Sequence, residues 1–230
     1  MRPEELTQLK ALPLFSEMTD GHFQKLLSSA FLQQFPTGTQ LIREGTPADS
    51  LYVLVDGLVE IFSEHSDDEW GISLIKPVST FILAAVIVDQ TYLNSARTLA
   101  PSRVLLIPAV RVRAAFDDDV AFARMVAKEL AFDYRASVKK LKGYMARSTI
   151  ERLANWILTE SHGRTGPVVI PFDRGTLAAH IGTGRESLSR CLAMLTDHGI
   201  RIRGREIIID NRTLLESFAC PQRLIDDPAA

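Results

Sequence analysis

The sequence predicts an α+β protein: an antiparallel β-roll of the jelly-roll kind, then a long helix, then a winged helix-turn-helix. Three observations carry this. Between residues 31 and 107, short apolar stretches alternate with turn signals, the pattern of several short antiparallel strands. From Ala109 to Tyr144 the turn signals stop, and strong helix formers run on without Gly or Pro until Gly143. Beyond Ser148 the order is helix, short strand, helix, glycine turn, helix and hairpin, which is that of a winged helix-turn-helix.

The elements follow in order. Residues 4–9, Leu14-Phe15-Ser16 and residues 20–30 read as a helical preface, with Phe23, Leu26, Leu27 and Ala30 at helical spacing. In the strand region Pro36-Thr37-Gly38, Glu44-Gly45-Thr46-Pro47, Asp56-Gly57 and Trp70-Gly71 are turn signals. Residues 51–55 and 58–62 flank Asp56-Gly57 and predict a tight hairpin, because Asp-Gly supplies the positive φ angles of a primed turn. In the segment 109–144, Val120, Ala123, Val126, Ala127, Leu130, Tyr134, Ser137 and Leu141 form an apolar or small-residue stripe, while Lys128, Glu129, Arg135, Lys139 and Lys140 lie elsewhere. So long a helix packs along a second copy of itself or, alternatively, along its own barrel. Ser148-Thr149-Ile150-Glu151 is a capping box opening a helix that buries Leu153, Trp156 and Ile157. After the loop 162–167 come a strand at Val168-Val169-Ile170, a helix 174–180 capped by Asp173, the turn Gly182-Thr183-Gly184, a helix 185–197 and a wing around Arg203-Gly204-Arg205. The expected domains are 1–108, the β-roll; 109–147, a dimerisation helix and hinge; and 148–230, the winged helix-turn-helix.

Composition narrows the function. The chain has 230 residues, 46% hydrophobic and 23% charged, which excludes disordered and collagenous classes and allows two cores. The longest apolar run, residues 81–88, is far short of the roughly 20 residues that span a bilayer, and the chain lacks an initial basic-then-apolar signal pattern. A cytoplasmic location without a membrane partner is expected. Cys191 and Cys220 are the only cysteines, so neither a four-cysteine iron–sulfur cluster nor a disulfide framework is available. No nucleophile–base pair, metal-ligand spacing or phosphate loop stands out, and an enzyme is not expected.

The net charge of −2 hides a basic segment: from Arg174 to Arg205 there are six arginines against Glu186 and Asp197, and no lysine. On the helix from Arg185, the residues Leu188, Cys191, Leu192 and Leu195 share one face. Arg185, Glu186, Ser189 and Arg190 then face outward in the first two turns, the part of a recognition helix that reaches base edges. Arginine donates two hydrogen bonds to guanine O6 and N7, and glutamate accepts from cytosine N4. Thr183 in the turn, Arg174 and Arg203 complete the expected double-stranded DNA contacts. A solvated charged helix face is the plainer reading of such a cluster, and the preceding helix and following wing count against it.

At this point the chain resembles the cyclic AMP receptor protein/FNR superfamily over nearly its whole length. Leu14-Phe15-Ser16, the spacing of Gly38, Glu44-Gly45 and Ala48-Asp49, and residues 51–57 look like that family's effector-binding β-roll, the cyclic-nucleotide-binding-domain fold. Residues 177–182 followed by Arg185-Glu186-Ser187-Leu188-Ser189-Arg190 look like its helix-turn-helix. The resemblance, closest in character to the FixK, DNR and NnrR branches, implies a homodimeric transcription regulator, an activator that meets RNA polymerase. Its recognition helices would sit roughly 34 Å apart on an inverted-repeat operator. Glu186, Ser189 and Arg190 are similar to the branch reading a TTGAT-like element, while Arg185 matches the arginine used for the extra guanine in TGTGA. The TTG type is favoured, because Ser189 replaces the glycine usual in the cyclic AMP branch. A cyclic-nucleotide-domain signalling module without DNA binding is the rival reading.

Cyclic-nucleotide binders of this family hold the phosphate with a cassette of glycine, glutamate and an Arg-Ser or Arg-Thr pair. The corresponding stretch here, residues 79–95, has no Gly, Glu or Arg; Tyr92 lies near the arginine position, and Arg97 comes too late and is expected to point outward. Burying a phosphate among Ile82, Leu83, Val86 and Val88 without a cation is costly, so cyclic AMP is not expected. Phe81, Leu83, Val86 and Tyr92 become the expected effector-pocket residues, either collapsed into core or lining an apolar cofactor site. The resemblance to nitric-oxide-sensing members suggests haem b, with His22 and His65 as candidate ligands; control without any ligand is the alternative. Cys191 reads as a buried small hydrophobe rather than a redox centre.

Overall fold

The structure is a computed structural model that describes residues 3–65, 68–164, 166–170 and 172–227. The chain divides into two compact units, Met1–Asp133 and Tyr134–Ala230.

The first unit is the expected β-roll with its helical preface. Helices α1 (Pro3–Lys10), α2 (Pro13–Ser16) and α3 (Asp20–Leu27) lead into β1 (Phe31–Phe35), β2 (Gln40–Ile42), β3 (Ser50–Asp56), β4 (Val59–His65), β5 (Asp68–Ile75) and β6 (Ser79–Phe81). A short α4 (Leu83–Ile87), then β7 (Ser95–Thr98), β8 (Ser102–Pro108) and α5 (Ala109–Asp118) follow. Two antiparallel four-stranded sheets, in the orders β1-β8-β3-β6 and β2-β7-β4-β5, enclose the core. Phe15 of α2 seals it, with ring centroids 5.9 Å from Phe23 and 6.2 Å from Phe122.

The two runs flanking Asp56-Gly57 are not a hairpin. β3 pairs with β6 and β8, whereas β4 pairs with β5 and β7, so the turn carries the chain from one sheet to the other. The reason lies in the run itself: Leu51, Tyr52, Val53, Leu54 and Val55 are all buried, so β3 is covered on both faces, where a hairpin with one solvated face would alternate. Gly57 is in the left-handed region at φ 102°, and a Cβ there would sit 2.7 Å from the Pro101 carbonyl oxygen. Trp70-Gly71 is likewise no turn. Gly71 lies inside β5 opposite Phe62, next to a register shift, the usual place of a strand glycine.

Nor is the segment 109–144 one helix. Asp119 (φ −123°, ψ 103°) interrupts it, and α6 runs over Val120–Ala146. Its carboxylate accepts the Ala121 and Phe122 amides at 2.9 and 3.1 Å, capping α6, and lies 2.7 Å from His22 Nδ1. The stripe along α6 divides too. Phe122, Met125 and Val126 are buried, but Ala127, Tyr134, Ser137 and Leu141 are exposed, as is Val120. With Ala131, Val138 and Met145, the positions 127, 131, 134, 138, 141 and 145 make an apolar row at alternating spacings of four and three, of which only Val138 is half-buried.

In the second unit the capping box at Ser148 and Glu151 opens α7 (Thr149–Glu160), which buries Leu153, Ala154, Asn155, Ile157 and Leu158. Trp156, expected in that face, is half-buried, its ring 6.4 Å from Phe172. Then come β9 (Gly166–Val169), α8 (Arg174–Ile181), α9 (Arg185–Leu195), β10 (Ile200–Arg203) and β11 (Glu206–Ile209), the strands forming one antiparallel sheet in the order β10-β11-β9. Two further helices, α10 (Arg212–Ala219) and α11 (Arg223–Asp226), close the unit. The α+β architecture of β-roll, long helix and winged helix-turn-helix is the one the sequence predicts.

Candidate nucleic-acid interface

The helix-turn-helix is built around its turn. Asp173 opens α8 by accepting the Gly175 and Thr176 amides at 2.6 and 3.1 Å. Burial works against its ionisation, but those amides, the Thr176 hydroxyl and the charge of Arg185 outweigh it and hold the carboxyl below the usual range. The helix ends at Gly182, in the left-handed region at φ 75°, where a Cβ would lie 2.7 Å from the Tyr144 ring. Arg152, from α7, donates to the Ile181 and Gly182 carbonyls at 3.0 and 3.4 Å, and its guanidinium lies 5.1 Å from the Tyr144 ring centroid. The carbonyls that α8 leaves without partners are thus satisfied by a cation, which fixes the angle at which α9 leaves. Sequence reasoning missed Arg152 and Tyr144 here, because neither lies near the turn in the chain.

Leu188, Cys191, Leu192 and Leu195 anchor α9 in the core, with relative exposures of 0, 9, 2 and 0%. Burial pushes the Cys191 thiol up against the opposing charges of Arg190 and Arg152, so it packs as a neutral side chain. On the opposite face Arg185, Glu186, Ser189 and Arg190 are exposed together, as are Arg174 and Arg203; Thr183 is half-buried. The Ser189 hydroxyl donates back to the Arg185 carbonyl at 3.0 Å, and Arg190 reaches Ser187 Oγ at 3.4 Å. Arg174 leans toward the wing, with Nη2 3.5 Å from the Gly204 carbonyl. Arg201, by contrast, is paired with Asp210 at 2.8 Å. The unpaired charge density of this surface therefore comes from α8, α9 and the tip of the wing, an arrangement suited to a polyanion beside a groove.

The four expected effector-pocket residues are together in the β-roll, but as core: Phe81, Leu83, Val86 and Tyr92 are 4, 2, 0 and 3% exposed. The Tyr92 hydroxyl donates to the Ser50 carbonyl at 2.8 Å and accepts its amide at 3.3 Å, and Phe81 stacks on Tyr52 at 5.4 Å. Burial raises both tyrosines above their ordinary range, keeping them neutral. Ile82, half-buried, precedes α4 in the left-handed region at φ 61°, a conformation uncommon for a β-branched residue. Two expectations are corrected. Val88 is exposed, beyond the end of α4. Arg97 does not point away into solvent: it stands opposite Glu60 across β7 and β4, donates to that nearly buried carboxylate from Nε at 2.9 Å, and lies over the Phe62 ring at 4.3 Å. Of the groups expected around a haem, the four pocket residues are packed as core, His22 is engaged with Asp119, and the side chain of His65 lies outside the described residues. Among the described residues no group of three His, Cys, Asp or Glu side chains could hold a metal ion, and no helix is long and apolar enough to cross a membrane.

Comparison with known proteins agrees with this geometry. Residues 32–119 match the cyclic nucleotide-binding domain, and residues 151–218 the Crp-like helix-turn-helix domain. The chain is 24% identical over 213 residues to the cyclic AMP receptor protein of Thermus thermophilus, covering 92% of this chain and 98% of the relative. FixK2 from Bradyrhizobium japonicum superposes with a TM-score of 0.71 at 22% identity, over 82% of this chain and 96% of that one. The c-di-GMP responsive global regulator CLP of Xanthomonas campestris also gives 0.71, at 20% identity over 84% of this chain and all of the other. With one domain following the other in this order and on this fold, the chain belongs to the cyclic AMP receptor protein/FNR family of DNA-binding transcription regulators.

Proposed function

We propose that the protein is a homodimeric regulator that places one α9 in each half of an inverted-repeat operator and answers to a signal other than cyclic AMP. The observation that carries the DNA part is the exposed set Arg185, Glu186 and Arg190 on a helix whose other face is locked into the core, flanked by Arg174 and Arg203. The exposed row along α6 supports pairing of two such helices, since apolar residues at four-three spacing are what a two-stranded seam requires. Glu186 and Arg190 favour TTG-type half-sites. RNA polymerase is then the partner through which a bound dimer acts. Anisotropy titrations of the full chain against TTG-type, TGTGA-type and scrambled inverted repeats test this. Preference for the TTG duplex, with affinity falling steeply as salt rises, is expected; equal binding to the scrambled duplex would contradict it.

The signal follows from the β-roll. A cyclic phosphate needs a cation, yet Arg97 is held by Glu60, Arg113 by the Val86 carbonyl and Asp89, and Tyr92 by Ser50. Close packing of Phe81, Leu83, Val86 and Tyr92 favours regulation without a ligand in this cavity over an apolar cofactor. Calorimetric titration with cyclic AMP is accordingly expected to give no binding isotherm up to millimolar nucleotide, and micromolar affinity would overturn this part.

A further inference from the structure

The reading head contains a glycine whose role lies in another residue's position. Gly175 is in the first turn of α8, although alanine is the better helix former. Its φ lies outside the left-handed region, so backbone freedom does not explain it. What distinguishes the position is space. A Cβ built on Gly175 would overlap Nε and Nη2 of Arg185 and lie 2.7 Å from its Cζ. The guanidinium of the first α9 residue therefore occupies the volume that any other side chain at 175 would fill.

A cation at the start of α9 opposes that helix's dipole, and the Asp173 carboxylate, which caps the neighbouring α8, supplies an opposing charge. Arg190, five residues on, donates to Ser187 on its own helix. We propose that Gly175 is a specificity-determining residue: it lets Arg185 rest against α8, away from base edges, and leaves reading to Glu186 and Arg190. This rests on the operator-binding reading above and deepens it, because the chain carries residue types suited to both TTG and TGTGA half-sites. Parking Arg185 removes the one suited to the additional guanine.

The test uses the full-length wild type, Gly175→Ala, Arg185→Ala and the double variant, titrated against inverted repeats of the two half-site types. Alanine suits the first turn of a helix, so Gly175→Ala should melt at or above the wild-type temperature; Gly175→Ser, equally displacing, is the second variant if it does not. Gly175→Ala is expected to shift the affinity ratio toward TGTGA by about 10-fold, within the range of one bidentate arginine–guanine contact. Adding Arg185→Ala should erase that shift, and Arg185→Ala alone should weaken binding to both duplexes together, leaving their ratio within about 2-fold of the wild type. A Gly175→Ala or Gly175→Ser protein that still binds the TTG duplex with an unchanged ratio overturns the proposal while sparing the operator reading. Failure of the wild type to prefer either duplex over a scrambled one overturns both.

Discussion

Replacing Asp226 with alanine is expected to destabilise the winged unit by about 3–5 kcal/mol, the cost of leaving a buried charge without its partner. Arg147 donates from both terminal nitrogens to the two Asp226 carboxylate oxygens, each at 2.6 Å, and the side chains are 7 and 19% exposed. An arginine side chain stays protonated in a protein whatever its partner, so neutralisation offers no escape when the carboxylate is removed. Asp226 also accepts the Gln222 amide at 2.6 Å, and Lys139 donates to the Asp227 carbonyl at 2.7 Å, so the α11 segment is tied to the last turns of α6 and to the residue that follows it. For a unit of this size each kcal/mol shifts the melting temperature by about 4–8 °C. Thermal unfolding of Asp226→Ala should therefore begin more than about 10 °C below the wild type. Arg147→Met combined with Asp226→Leu should recover most of the loss, because apolar isosteres of a buried pair are often neutral. A drop of under about 1 kcal/mol for the single variant would mean that the clamp contributes little.

The parts legible in the sequence are those where local chemistry and the final packing agree. The Ser148 capping box, the Asp173 cap and the left-handed Gly182 each satisfy groups within a few residues, and each forms as read. The inward row Leu188, Cys191, Leu192 and Leu195 is legible for the same reason, since one helix period decides it. Partners distant in the chain were not. Asp56-Gly57 does reverse the chain, but which sheet β4 joins depends on covering both faces of β3, a tertiary matter. Three consecutive aspartates, residues 117–119, stood before Val120 as a cap signal, yet the absence of Gly and Pro argued for continuity and hid the break. The closing helices α10 and α11 lay beyond the last strand pattern that was read. Their clearest cue was Asn211, which caps α10 by accepting the Leu214 amide at 3.0 Å. In the β-roll, the absence of Gly, Glu and Arg from residues 79–95 was legible, but whether the apolar replacement formed a pocket or core depended on packing. Tyr92 decided for core, through a hydroxyl held by Ser50 forty-two residues away.

The central claim is that two copies of the chain read one operator together. Binding two half-sites through one dimer multiplies affinity by about 10²–10⁴ over a single contact when the geometry permits simultaneous engagement, and the gain is lost when it does not. Recognition helices on one face of B-DNA lie about one turn apart, so inserting about five base pairs between the half-sites turns one of them to the far side of the duplex. The deciding measurement is the affinity of the full-length protein for an inverted repeat with native-type spacing and for the same repeat carrying that insertion, at one fixed salt concentration. A loss of about 10²-fold or more on insertion is the expected result. Equal affinity for the two duplexes would contradict the account, because independent or non-specific contacts do not register the phase of the helix.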